Sequence, residues 1–117
     1  MVITKAKDIL TYTFTIAENA PKKFRFTLTT RMHNTSLDIL ENLILANEIM
    51  IGTDNEDRKK RSDFQHTAIA KLKILDALAM TAREQKCILP KQYEVLTKYI
   101  VDCTRMTRAW INSDKKR

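Results

Sequence analysis

Residues 90–112 read Pro90-Lys91-Gln92-Tyr93-Glu94-Val95-Leu96-Thr97-Lys98-Tyr99-Ile100-Val101-Asp102-Cys103-Thr104-Arg105-Met106-Thr107-Arg108-Ala109-Trp110-Ile111-Asn112. At 3.6 residues per turn, Tyr93, Leu96, Ile100, Cys103, Thr107 and Trp110 fall on one side, in alternating steps of three and four. Lys91, Lys98 and Arg105 recur at heptad spacing on the opposite side, and Arg108 lies within a turn of them. Such a segment is a helix that needs an apolar partner on one face and offers positive charge on the other.

The rest of the chain supplies the partners. A first helix is expected over 4–20, where Ala6, Ile9, Leu10, Thr13, Ile16, Ala17 and Ala20 make an apolar stripe that Tyr12 and Phe14 widen. Asn19 and Pro21 end it, because the residue before a proline is pushed out of helical geometry. A short connection, 21–26, leads to a second helix over 27–50 with Leu28, Met32, Thr35 or Ser36, Ile39, Leu43, Ala46 and Met50 in register. Gly52, the one glycine, stands where a left-handed C-terminal cap belongs, and Thr53 with Glu56 reads as a capping box. A third helix follows over 54–86. Its first turns, Asp57 to Arg61, are charged on every side and are expected to overhang, with the core stripe beginning at Phe64 and continuing through Ala68, Leu72, Leu75, Ala79 and Ala82. Pro90 suits the first turn of the last helix, 90–112, behind which 113–117 form a basic tail. Short connections make neighbours antiparallel, so the expected fold is all-α: one domain, 1–117, an up-down-up-down four-helix bundle.

Composition agrees. In 117 residues there are one Gly and two Pro, too few for sandwiches, barrels or doubly wound folds with their many tight turns, and 44% are apolar, enough for a core. Lys and Arg number 21 against 14 acids, a net +7 with a pI near 9.6. Seven bases against three acids lie in 87–117, so the surplus sits at the C-terminal end. Such a surface suits an anionic partner such as nucleic acid, or serves solubility alone. Cys87 and Cys103 fall about 20 Å apart in antiparallel helices, which predicts reduced thiols and a cytoplasmic protein. No stretch reads as a signal peptide or reaches the roughly 20 apolar residues of a membrane span.

Catalytic and metal chemistry find few footholds. His33 and His66 are the only histidines, and Asp63-x-x-His66 is a single pair where a di-iron bundle needs two Glu-x-x-His pairs and further acids. No glycine elbow or phosphate loop occurs, so no enzyme, metal or cofactor is expected. The expected nucleic-acid contacts are Lys91, Lys98, Arg105, Arg108, Lys115, Lys116 and Arg117, with Lys22, Lys23 and Arg25 in the connection and Arg58, Lys59, Lys60 and Arg61 at the start of the third helix. In the connection, Phe24 and Phe26 either stack bases between the cations or plug the end of the bundle. On the last helix, Val95, Tyr99 and Met106 extend the apolar arc to about 160°, against somewhat over 100° for an ordinary surface helix, and they either widen the core-facing arc with Tyr99 partly exposed or meet another subunit.

Three strings carry a resemblance: Pro21-Lys22-Lys23-Phe24-Arg25-Phe26-Thr27-Leu28, Cys87-Ile88-Leu89-Pro90-Lys91-Gln92-Tyr93, and Trp110-Ile111-Asn112-Ser113-Asp114-Lys115-Lys116-Arg117. They resemble the four-helix bundle family of the accessory variability determinant of diversity-generating retroelements, which is related to the 23S rRNA-intervening-sequence proteins. The resemblance covers the chain from Lys5 onward, and its motifs are short and not catalytic. It implies a ring-shaped homopentamer of bundles with a basic surface that binds RNA and DNA and associates with the element's reverse transcriptase. The alternative it leaves is a protein-interaction or structural bundle of the intervening-sequence type, without a retroelement role.

Overall fold

Each apolar repeat winds into one helix. The computed structural model describes residues 1–52 and 54–117, and only the backbone of Arg25 and Phe26. Helix α1 spans Val2–Asn19, α2 Thr30–Glu48, α3 Asn55–Glu84 and α4 Pro90–Lys115, with no strand among the described residues. Side-chain pairs give the directions. Asp38 meets Lys71 at 3.3 Å while Ile49 O meets Arg61 at 2.8 Å, so α2 and α3 run oppositely. Arg61 meets Asp114 and Arg83 covers the Tyr93 ring, so α3 and α4 do too. Tyr12 against Tyr99 and Lys5 against Asp102 set α1 antiparallel to α4 as well. The result is an antiparallel bundle of 51 × 22 × 19 Å.

The core follows the predicted stripes. Ala6, Ile9 and Ile16 meet Met32, Ile39 and Leu43, Leu72 and Leu75, and Leu96, Ile100 and Cys103, all nearly or wholly buried. Burying each large aliphatic is worth about 1.5–3 kcal/mol relative to leaving it in water. Thr107 and Ser36 sit in this core because their hydroxyls donate back to Cys103 O and Met32 O, at 2.8 and 2.9 Å. Met50 departs from its stripe: α2 stops at Glu48, and Met50 is exposed. Phe14 is also outside, its ring 4.1 Å from that of His33.

The ends differ from expectation in instructive ways. The 21–26 connection is a 3-10 turn, Lys22–Phe24, and it runs through a π-helical turn, Arg25–Thr29, into α2. The hydroxyls of Thr27 and Thr29 both donate to Phe24 O, at 3.4 and 3.3 Å, on the carbonyl that the widened turn encloses. Phe24 packs half-buried against the core, as the plug reading has it, whereas the Arg25 and Phe26 side chains lie outside the described residues.

Gly52 is no left-handed cap, since no glycine has positive φ. Its loop is held instead by arginines: Arg58 Nε donates to Gly52 O at 3.0 Å and Arg61 Nη1 to Ile49 O. Thr53 lies outside the described residues. The α3 cap is Asp54, whose carboxylate accepts the Glu56 N–H at 2.9 Å. The left-handed position occurs at the other end of α3, on Lys86 with φ 60°. There Cys87 N–H reaches Ala82 O at 2.7 Å and Lys86 N–H reaches Arg83 O at 3.0 Å, a Schellman closure made without glycine. Leu89 N–H then donates to the Gln92 side chain at 2.9 Å, and Pro90 opens α4.

Candidate nucleic-acid interface

The first turns of α3 do not overhang. Helix α4 continues three residues past Asn112 and carries Asp114 alongside them. Arg61 is 9% exposed and grips Asp114 with two parallel bonds, Nε to Oδ2 at 2.8 Å and Nη2 to Oδ1 at 3.0 Å. Gln65, 1% exposed, adds a third donor to Oδ2 at 3.0 Å. The Arg61 guanidinium also lies 4.9 Å from the Trp110 ring. Arg61 and Gln65 thus occupy the buried positions expected of Phe64, which is half-buried. A fork-to-fork arginine–carboxylate pair on an aromatic face is a fixed structural element, so Arg61 is withdrawn as a phosphate contact. Arg58, half-buried, is likewise engaged by Gly52 O and by Arg117 O at 3.0 Å.

The remaining predicted cations fall into three groups. At this end of the bundle, Lys59, Lys60, Lys115, Lys116 and Arg117 are exposed, and Lys59 pairs with Asp63 at 3.6 Å. At the opposite end, Lys22, Lys23 and Lys91 are exposed, with Lys23 Nζ 5.0 Å from the Phe24 ring and Lys91 pairing with Glu94 at 3.7 Å. Lys86, which sequence reasoning passed over, joins them. Along the flank, α4 projects Lys98, Arg105 and Arg108 outward around Val101. Arg105, 72% exposed, holds Asp102 at 3.0 Å, a contact that solvent screens.

Lys73 of α3 joins this third group across a groove of about 640 Å³ between α3 and α4. Leu72, Ile100, Val101 and Ala109 are among its lining residues, and so are Arg105, Arg108, Asp76 and Thr97. Lys73 and the groove were missed from sequence; the signal was available in Lys73 and Asp76, which flank the α3 stripe at Leu72 and Leu75.

The three candidate interface residues are half-buried within the chain. Tyr99 packs edge-on against Tyr12 of α1, centroids 5.9 Å apart, with Lys5 Nζ 5.3 Å from its ring. Met106 borders a cleft with Val2, Ile3 and Trp110. More exposed apolar surface lies on α2, where Leu37, Leu40, Ile44 and Leu45 line a shallow cleft with Glu41.

The cysteines are free and buried. Burial pushes the Cys103 thiol up to about 11, against the smaller opposing pull of Thr107 and Lys5, and burial raises Cys87 as well. Burial, then the neighbouring Tyr99, raises Tyr12. Among the described residues no three His, Cys, Asp or Glu side chains come together as metal ligands, and no helix is long and apolar enough to cross a membrane. What the surface offers chemically is charge: guanidinium and ammonium groups on rigid helices, suited to phosphate oxygens. Neither a scan against protein-family models nor a search of curated proteins returned a match to this chain.

Proposed function

We propose that this chain is a non-enzymatic, basic accessory protein that holds RNA or DNA through phosphate contacts and acts beside a reverse transcriptase in a diversity-generating retroelement. The observation that carries the nucleic-acid part is the α4 flank: Lys98, Arg105 and Arg108 point outward from one helix face, with Lys73 opposite them. On a chain of net charge +7, such a row neutralises phosphates without reading sequence. The reverse transcriptase and the homopentameric ring are supported by the family resemblance of 21–28, 87–93 and 110–117, and a cytoplasmic setting by the two unpaired cysteines. A ring would repeat the α4 row around its circumference and concentrate the field.

The test is binding of a generic single-stranded RNA at two salt concentrations by the full chain and by the triple variant Lys98→Glu, Arg105→Glu, Arg108→Glu. Affinity is expected to fall steeply with salt, and the variant to lose most of it. A flat salt response, or an unchanged variant, refutes the assignment. Sizing in solution tests the ring, and co-purification with a reverse transcriptase tests the partner.

A second reading, a protein-interaction bundle of the intervening-sequence type, draws on the exposed α2 residues Leu37, Ile44 and Leu45. Partner capture that survives the triple charge reversal but fails in Ile44→Asp favours it.

A further inference from the structure

The α3–α4 groove combines a cationic rim with two features that a purely electrostatic phosphate surface does not need. Its walls are apolar, with Val101 55% exposed beside buried Leu72 and Ile100. Its rim carries Lys73, Arg105 and Arg108. And Asp76 and Thr97, both among its lining residues, each hold a buried oxygen, Oδ1 and Oγ1, without a hydrogen-bond partner among the described residues. A buried polar atom left unpaired is unfavourable, so the Asp76 carboxylate calls for a ligand donor and the Thr97 hydroxyl for a donor or an acceptor.

The geometry points to a pocket for one unpaired guanine of a single-stranded RNA, read by Asp76 and Thr97 while Arg105, Arg108 and Lys73 hold the adjoining phosphates. An ionised carboxylate only accepts, and the Watson–Crick edge of guanine presents two adjacent donors, N1–H and N2–H₂, where adenine and cytosine present one exocyclic amine each. The Thr97 hydroxyl can donate to the neighbouring O6. The base faces would lie against Val101 and the aliphatic wall. Thr97 and Arg105 are about 12 Å apart along α4, and helical side chains lean toward the N-terminus, which brings the Arg105 guanidinium back toward Thr97. A nucleotide's base, ribose and phosphate cover such a span. An acidic helix fits less well: its backbone donors are already used and its carboxylates would face Asp76. A second copy of this chain would bring more positive charge to a cationic rim.

This pocket presupposes the nucleic-acid reading above, and one experiment separates the two. Binding of short uridine strands carrying a single central guanosine, inosine or adenosine is measured by fluorescence anisotropy with the full chain. The guanosine strand is expected to bind roughly tenfold tighter than the adenosine strand, with inosine, which lacks the N2 amine, between them. Asp76→Asn, near-isosteric, should erase the guanosine preference and leave the all-uridine strand bound. Equal binding of all strands, still salt-dependent, overturns the pocket alone. No binding of any strand at low salt overturns both. Val101→Glu should weaken the guanosine strand selectively; a change in oligomer size with guanosine binding intact would instead give the groove to a second copy.

Discussion

Two arginine–aspartate pairs meet on α4, one with Arg61 of α3 and one within the helix, and they behave as opposites. Asp114 receives Arg61 in a bidentate clasp with both side chains under 15% exposed, at 11% and 14%. Asp102 touches Arg105 through one bond, and the arginine is 72% exposed. The first pair has exchanged water for a full set of partners, Gln65 and the Ile49 carbonyl among them, so it cannot be opened cheaply. The arginine of the second remains in water, while Asp102 keeps Lys5 beside it, so Arg105 can be traded to a phosphate at little loss. Whether a cation is structure or surface is decided by what the neighbouring helix places against it, not by the density of charge around it.

The strongest way to break this contrast is Asp114→Ala. Leaving Arg61 desolvated and unpaired should cost about 3 kcal/mol, seen as a fall in Tm of about 10 °C. RNA affinity of the folded variant should change only through Lys115, whose turn the clasp orders. Replacing both partners, Arg61→Met with Asp114→Leu, should recover most of the loss in a double-mutant cycle; if it does not, the clasp contributes more than the avoidance of an orphaned charge.

The contrast also assumes that α4's inner face is dry, which Cys103 can test. Its folded pKa of about 11 stands above the ordinary 9.0, so the unfolded thiol ionises first as pH rises. The associated stability is intact below pH 9 and drains away between 9 and 11, a trend that urea melts of the wild type should show and that Cys103→Ala should show more weakly. A third cation, Lys86, is held by backbone geometry and not by a partner acid. Lys86→Gly removes the left-handed penalty and should stabilise by about 1 kcal/mol. The smallest effect on stability is expected for Arg105→Ala, within about 0.5 kcal/mol. That variant should nonetheless lower RNA affinity and reduce the slope of log affinity against log salt by about one. A large destabilisation by Arg105→Ala would erase the distinction.

Helix number, the α1 and α4 stripes and the start of α4 were legible because apolar periodicity and Pro90 are local signals. Arg61 was not, since its partner lies 53 positions away in a stretch that reads as a frayed basic tail. The same holds for Gly52 and Lys86. Glycine marks where a left-handed residue is cheap, but the Schellman bonds at the end of α3 were strong enough to impose that conformation on a lysine. The second helix, expected from Thr27, begins as an α-helix at Thr30 because the π-helical turn before it keeps no period that a 3.6-residue template can match. Of the candidate site, the outward row Lys98, Arg105 and Arg108 followed from heptad spacing. The groove beside it did not, because it is made by two helices and neither sequence alone describes the space between them.

The extension of α4 to Lys115 has an entropic consequence. Cations on a loose tail must be ordered when a polyanion binds, at roughly 1–2 kcal/mol per backbone residue fixed. Here Ser113, Asp114 and Lys115 are already helical, and Asp114 is clasped to Arg61, so the ordering of this turn is accomplished by folding. Lys115 is therefore presented to a polyanion by a backbone whose freedom was lost earlier. Association through it should carry little of the heat-capacity change that accompanies coupled folding.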